Sequence, residues 1–546
     1  MRHKFIKIHP SDNVVVALEN LDVGTIVMVN GENFQLKLPI KAKHKFAQNY
    51  FLDGDEIYMY GGVVGKAKKN IEQGEALTID NVAHKTEDYG VRKQIFDWQQ
   101  PDISKFRNKT FNGYHRSDGQ VGTANFWVVI PLVFCENRNA AVMKDAFLEE
   151  LGFVRPNKYK QYVRQMVNKY KSGASPRSGM VLEEETATST AVFKNVDGIK
   201  FLTHQGGCGG IRQDSEMLCA LIAGYLNNPN VAGGTILSLG CQNAQISILQ
   251  EKLKAVNPDF DKPLYILEQQ QEGREENLLQ KALQKTFEGL VEANKLQREP
   301  ASLDKLTLGL ECGGSDGFSG ISANPAVGHA SDIVVALSGK TMLAEFPELC
   351  GVEQQLINRC TNNAIADKFI HLMQTYAASA EAVGSGFDMN PSPGNIKDGL
   401  ITDAMKSAGA AKKGGASPIV DVLDYAEYAT KPGLNLLCTP GNDVESTTAL
   451  AGSGANLILF TTGLGTPTGN PIAPVIKIAS NSGLAERMPD IIDVDAGEVI
   501  TGDKTIEEMG EELMEFIIAV ASGKIQTKAQ VLNQDDFIPW KRGISL

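Results

Sequence analysis

Three times along this chain an apolar, strand-like run ends in a glycine–cysteine turn and gives way to a helical pattern, at Cys208, Cys241 and Cys312. A strand feeding a helix through a short turn is the repeating unit of α/β folds, in which crossover helices cover a mainly parallel sheet. The runs Trp127 to Val133, Lys200 to Thr203 and Thr235 to Leu239 fit one such sheet, with amphipathic helices over Ala140 to Leu151, Lys158 to Tyr170 and Gln213 to Leu226. The runs Thr307 to Leu310, Ile333 to Leu337, Leu434 to Leu437 and Leu457 to Thr461 fit a second. Between the two sets, Arg274 to Arg298 reads as a helix that stops ahead of Pro300, with Leu279, Leu283 and Leu290 on its apolar side.

The 546 residues exceed what one core holds, at roughly 100–200 residues per domain. Residues 1–92 carry a different pattern. Short runs (Val14 to Leu18, Thr25 to Val29, Glu56 to Tyr60) are broken by Asn30-Gly31, Asp53-Gly54 and Gly61-Gly62, pairs that suit tight hairpin turns. They predict a small β-rich barrel or clip. A polar stretch without periodicity, residues 93–112, predicts a linker. Residues 113–300 and 301–546 then form two α/β domains, the second expected to carry the chemistry.

The net charge of −12 comes with no sustained basic stripe, which argues against nucleic acid as a partner. No apolar stretch approaches the ~18 to 20 residues of a membrane span, and the first residues lack an apolar signal core, so the expected location is the cytoplasm. Eight cysteines in such a chain read as thiols or metal ligands rather than a disulfide framework. Cys219, Cys350, Cys360 and Cys438 lie among apolar neighbours and read as buried filler; Cys135 is open to either reading.

Several loops hold the side chains that chemistry needs. THQGGCGG places His204 and Cys208 on a strand-to-helix turn, and LSLGCQNAQ places Cys241 on another. The richest segment, from Leu308 onward, sets Glu311, Cys312, Ser315, Asp316, Asn324 and His329 within about twenty residues after a strand, where open α/β sheets bind ligands. Farther on, Asn395, Thr439, Asp443, Thr461, Thr462 and Lys477 suit sugar hydroxyls or a carboxylate. In the N-terminal module, His9, Asp12, Asn13 and His44 form a candidate second site.

HPSDNVVVAL, LECGGSDGFSGISANP, PSPGN, KGGASPIVDVLDYAE, TPGNDVESTTALAGSGANLILFTTGLGTPTGNPIAPVIKIASN and LAERM occur in this order. Through them the chain resembles the altronate and galactarate dehydratase family over nearly its whole length, and residues 1–92 resemble its SAF domain, a β-clip. The TPGNDVEST and FTTGLGTPTGNPIAP stretches resemble the altronate branch in particular. The sequence departs from the family pattern around Pro156 to Phe193 and in VGTANFWVVIPLVFCENRNA, where an arginine-plus-tyrosine turn is usual. The resemblance implies a hydro-lyase converting D-altronate to 2-dehydro-3-deoxy-D-gluconate and water with a divalent metal, iron(II) or manganese(II). Galactarate dehydration, a related sulfo-lyase reaction and a non-catalytic sugar-acid binder are the alternatives.

Such a reaction removes the C2 proton and expels the C3 hydroxyl, a task for a base, an acid and a cation that stabilises the enediolate. The expected metal ligands are His204, Cys208, Cys241 and Cys312; an iron–sulfur cluster on the three thiolates is a less favoured variant. His204, His329, Lys477 and Glu311 are the catalytic candidates. Ser315, Asp316, Asn324, Asn395, Thr439, Asp443, Thr461 and Thr462 are the substrate contacts. The expected partners are a small sugar acid and further copies of the chain.

Overall fold

The computed structural model describes residues 3–29, 31–93, 96–154, 157–175, 180–182 and 191–545. Its N-terminal part is β-rich and antiparallel throughout, built of three small sheets. Val15, Val27, Leu36 and Phe46 form its core. The hairpin Glu56–Met59 with Gly62–Ala67 turns through Tyr60 and Gly61, both with positive φ (58° and 85°). This is the left-handed pair that a two-residue hairpin needs, so the turn sits one residue before the expected Gly61-Gly62. Asn30, of the expected Asn30-Gly31 turn, lies outside the described residues; the strands beside it, Ile26–Val29 and Glu32–Gln35, pair antiparallel.

The middle sheet has four parallel strands in the order Gly198–Phe201, Phe126–Pro131, Val231–Ser238, Leu264–Glu268. Trp127 is fully buried beneath the helix Glu275–Ala293, where Gly289 leaves room for the indole ring and Thr235 Oγ1 accepts its N–H at 3.1 Å. That helix is shorter than expected. Arg298–Ser302 is a strand paired antiparallel with Thr110–His115, because Arg298 reaches the carbonyls of Asn112, Thr123 and Ala521 and is held there. Of the sequence around Pro156 to Phe193, the helix Lys158–Lys171 is described, and residues 155–156, 176–179 and 183–190 lie outside the described residues.

The C-terminal sheet has seven strands, all parallel, in the order Ile419–Leu423, Gly433–Leu437, Lys340–Leu343, Thr307–Cys312, Leu457–Thr462, Val475–Ala479, Val494–Asp495. The chain is thus a β-clip followed by α/β domains with parallel sheets, as its sequence pattern predicts. One strand was misplaced. Ile333 to Leu337 belongs to the helix Ala323–Ala336 and its end, and the strand is Lys340–Leu343. The helix is buried along most of its length, and a run buried on all sides carries no period that tells helix from strand.

Helices cover both faces. Ala323–Ala336 and Ile506–Ala521 pack on one, sharing a core with Leu308, Leu310, Leu459 and Ile476. On the other lies Asp443–Gly452, joined by Arg212–Asn227 of the middle domain. These two helices cross at Gly224 and Gly452, where any side chain on Gly224 would strike the Gly452 carbonyl. Such backbone proximity fixes the middle domain on the C-terminal one. No helix among the described residues is long and apolar enough to cross a membrane.

Candidate active site

The strand Thr307–Cys312 lies at the centre of the seven-stranded sheet, and its last two side chains emerge at the carboxyl edge. Beside it, Lys340–Leu343 runs on into Glu345 and the turn Phe346–Leu349, which carries Glu348. The helix Asp403–Ala410 and the turn Ala411–Gly414 bring Lys406 and Lys413 from the opposite side. All six ionisable groups are buried. Lys413 Nζ donates to Cys312 Sγ at 2.7 Å and to Glu345 Oε2 at 2.8 Å. Lys406 Nζ lies 2.6 Å from Glu348 Oε1, and the Cys312 thiol donates to Glu348 Oε2 at 2.9 Å. Glu345 holds a left-handed backbone (φ 68°, ψ 65°), a conformation that costs a non-glycine residue about 1–3 kcal/mol and recurs at functional sites.

Electrostatics divide these acids. Burial, then the neighbouring Glu345 charge, pushes Glu311 well above the usual carboxylate range. Burial and Glu348 raise Glu345 as well. Burial also opposes the charge on Glu348, but Lys406 and Lys413 outweigh it and hold that carboxylate below its ordinary value. Ser446 Oγ donates to Glu311 Oε2 at 2.6 Å, and the Oε1 atoms of Glu311 and Glu345 have no partner among the described residues, so one proton held between these carboxyls would satisfy both. Two carboxylates facing two ammoniums leave the cluster close to neutral.

A second pair lies alongside. Asp443 opens the helix Asp443–Gly452 and is half-buried, with Gly313 so close that any side chain there would strike its carboxyl. Burial, then the charges of Glu345 and Glu348, pushes Asp443 up to about 7. Lys477, in the strand Val475–Ala479, is fully buried, with its ammonium 3.6 Å from the centre of the Phe460 ring and donating to the Thr468 carbonyl. Burial brings it down to about 7 against the attraction of Asp443 and Asp493. An acid and an amine that exchange protons near neutrality thus stand within electrostatic reach of each other.

Many of the expected substrate contacts are spent on the framework. Asp316 accepts from the Phe318 and Ser319 N–H groups, from Ser480 Oγ at 2.7 Å, from Asn481 Nδ2 at 3.0 Å and from Lys43 of the N-terminal module at 3.0 Å. Asn395 Nδ2 donates to the Ser315 carbonyl, the Thr461 hydroxyl to Asn324 Oδ1, and Thr462 Oγ1 accepts the Gly465 N–H. Thr439 Oγ1 accepts the Glu345 N–H at 2.8 Å and lies 2.9 Å from Ser446 Oγ, which ties it to the buried cluster. His329 is away from the carboxyl edge, its ring against Gly510 of the outer helix. In the N-terminal module, Asp12 accepts the His9 and Gly61 N–H groups, His9 Nδ1 pairs with Ser11 Oγ, Asn13 braces Glu56 and Tyr58, and His44 Nε2 pairs with the Lys397 carbonyl. These four side chains set turns and dock the module rather than converge on a site.

The expected metal set does not gather. Among the described residues, only Cys312, Glu345 and Glu348 bring three ligand atoms within 4.8 Å of one another, a buried group that could hold a metal ion. His204 has both ring nitrogens engaged, Nε2 with the Pro131 carbonyl at 2.6 Å and Nδ1 with the Gly206 N–H at 3.0 Å, so it shapes its turn instead of offering a free ligand. Cys208 and Cys241 are exposed on turns of the middle domain. Cys208 lines a cleft of about 540 Å³ together with Thr203, Glu445, Trp540 and Lys541, between the middle and C-terminal domains.

Sequence reasoning missed Glu345, Glu348, Lys406 and Lys413. A signal was present in TMLAEFPEL and DAMKSAGAAKKGG, where charges interrupt runs of apolar and small residues that have no exposed face to spare.

Residues 3–85 match the family model of the altronate/galactarate dehydratase SAF domain, residues 113–294 that of the D-galactarate dehydratase/altronate hydrolase second domain, and residues 303–545 that of the D-galactarate/altronate dehydratase C-terminal domain. The chain is 33% identical to the altronate dehydratase of Bacillus subtilis (strain 168) over 521 residues, 95% of each chain. It is 33% identical to the altronate dehydratase of Escherichia coli (strain K12) over 544 residues, 100% of each. To the galactarate dehydratase (L-threo-forming) of the same organism it is 31% identical over 538 residues, 96% of this chain and 94% of the relative.

Proposed function

This chain belongs to the altronate and galactarate dehydratase family and is a hydro-lyase acting on a sugar acid, and we propose that its substrate is D-altronate, converted to 2-dehydro-3-deoxy-D-gluconate and water. The observation that carries the chemistry is the Asp443–Lys477 pair, both members brought to about 7 at the carboxyl edge of the sheet. A catalytic acid or base works best with its proton affinity near the operating pH.

Asp443, the half-exposed member, takes the C2 proton, and Lys477 behind it sets the carboxylate charge. Glu445, two residues along the same helix, lines the cleft, and burial holds its carboxyl toward the acid form. It protonates the C3 hydroxyl as the bond to carbon breaks, releasing water. The resulting enol tautomerises to the 2-keto acid. Glu311, Cys312, Glu345 and Glu348 with their two lysines form the rigid, near-neutral floor that keeps Asp443 from ionising early.

A divalent cation, iron(II) or manganese(II), would stabilise the enediolate when bound by the substrate carboxylate and hydroxyl. At Cys312, Glu345 and Glu348 the donors are already engaged by Lys413 and Lys406, and an ion there would have to displace the Lys413 ammonium.

The test is turnover of D-altronate, galactarate and sulfolactate with iron(II) or manganese(II), read as semicarbazide-trapped 2-keto acid. The highest kcat/KM is expected with D-altronate. A preference for galactarate or sulfolactate overturns the substrate assignment, and full activity in Asp443→Asn overturns the base.

A further inference from the structure

We infer that the middle domain carries an iron–sulfur cluster site made of Cys135, Cys208 and Cys241. The three cysteines follow three neighbouring strands of one parallel sheet, with Phe126–Pro131 in the middle, Gly198–Phe201 on one side and Val231–Ser238 on the other. Adjacent strands lie about 4.8 Å apart, so their carboxyl-end turns start as neighbours. Backbone hydrogen bonds then tie the turns together. The Phe134 N–H donates to the Gly206 carbonyl at 3.1 Å, and the Asn243 and Ala244 N–H groups donate to the Gly207 carbonyl at 3.0 and 3.1 Å. Gly207 (φ 95°) lies so close to Leu132 and Val133 that any side chain would strike them. Each contact lies within three residues of a cysteine.

All three thiols are free and exposed, and none takes part in a hydrogen bond among the described residues. By contrast, Cys219 and Cys360 are buried with carbonyl partners, and Cys312 is locked to Lys413. Left-handed glycines flank two of the three, Gly207 and Gly209 around Cys208 and Gly240 (φ 123°) before Cys241. Successive N–H groups in such turns form concave nests that favour anions, including the sulfides and thiolates of iron–sulfur sites.

The spacing selects the class of metal group. The three thiols do not fall within the 4.8 Å that would let three ligand atoms share one ion, a condition met among the described residues only by Cys312, Glu345 and Glu348. In a cuboidal cluster each thiolate binds a different iron, so the sulfurs stand farther apart. Three protein thiolates on a four-iron cluster leave one iron without a protein ligand. Cys208 lines the cleft, so that iron would lie at its wall. Each thiol gives up its proton as its bond to iron forms. The site requires only these three turns and is independent of which sugar acid the enzyme takes.

The full-length protein is to be reconstituted anaerobically with ferric iron, sulfide and dithiothreitol and then desalted. Iron, acid-labile sulfide and visible absorbance are measured without substrate. About four iron and four sulfide per chain are expected, with the broad visible band of sulfide-to-iron charge transfer. Cys135→Ser, Cys208→Ser and Cys241→Ser should each lose most of the sulfide while keeping the wild-type circular dichroism, and Cys438→Ser should retain it. Absence of labile sulfide in the wild type, or wild-type sulfide in all three single variants, overturns the inference. Loss of sulfide in Cys438→Ser alone would place the cluster elsewhere and overturns it equally.

Discussion

Replacing Lys413 by Met tests the charge balance beneath the site. The side chains of Lys413 and Glu345 are each 1% exposed, and the ammonium serves two acceptors at once, the Cys312 sulfur and Glu345 Oε2. Methionine fills nearly the same space, so cavity formation contributes little and the loss is electrostatic. Removing one partner of a buried ion pair destabilises by about 3–5 kcal/mol, because the other charge stays buried without compensation. Glu345 can respond by taking a proton, which its raised proton affinity favours, so the lower end of that range is expected near pH 6 and the upper end near pH 9. Global melts of a chain with several domains are not two-state, so the assay is hydrogen exchange of the peptide covering Thr307–Cys312, whose backbone runs through the cluster. At about 1.4 kcal/mol per factor of ten, protection there should fall by roughly two to four powers of ten. The double variant Lys413→Met with Glu345→Gln removes both charges and should recover about half the loss or more, since replacing a whole buried pair is often close to neutral. Exchange within a factor of about five of wild type in the single variant, or no recovery in the double, would refute the reasoning.

Other consequences follow from the same geometry. The log of kcat/KM should rise with pH as Asp443 ionises toward about 7 and fall again as Glu445 loses its proton, and the rising limb should vanish in Asp443→Asn, measured with semicarbazide across pH 5 to 8. The stability contributions of Asp443 and Lys477 have opposite signs. Between about 4 and 7 the folded state binds the extra proton on Asp443, so stability falls as pH rises; between about 7 and 10.5 the unfolded state binds it on Lys477, so stability climbs. Denaturation midpoints against pH should show Lys477→Met flattening the upper limb and Asp443→Asn the lower. Gly289→Ala, which would gain about 1 kcal/mol of helix propensity at an open position, drives a methyl into the Trp127 ring and should cost about 1–3 kcal/mol net, read as a lower thermal midpoint with altered tryptophan fluorescence.

The α/β character was legible because strand and helix here differ in length and punctuation. The expected runs Thr307 to Leu310 and Leu457 to Thr461 fall on real strands but stop two residues and one residue short of their ends at Cys312 and Thr462, which Gly313 and Gly463 follow. Ile333 to Leu337 could not, since Ala323–Ala336 is apolar nearly all round and its β-branched residues imitate a strand. The site was legible only in part, and for a related reason. Glycine-rich loops announce themselves by composition, and they drew attention to Glu311, Cys312 and Asp443. Composition does not distinguish a polar side chain that meets a ligand from one that holds its own loop. Asp316 and Asn395 have the residue types of a binding site, yet their hydrogen-bonding capacity goes to neighbouring backbone and side chains.

Lys406, Lys413, Glu345 and Glu348 present the opposite difficulty, lying on a buried helix and on the turns that follow a strand and that helix. A buried charge needs a partner, and the partners here are 68 residues apart in the chain for Lys413 and Glu345, so neither member looks functional alone. The informative question about such a sequence is therefore which charges sit where no exposed face is available to them. Put to this chain, it returns, among other buried charges, Glu345, Glu348, Lys406, Lys413 and Lys477, which gather around the carboxyl edge of one sheet. Their mutual compensation explains how Asp443, at the helix start beside them, can hold a proton near neutrality while staying half-open to solvent. The floor is neutral as a whole but acidic on the side it turns toward Asp443, where burial and the Glu345 and Glu348 charges act in the same direction.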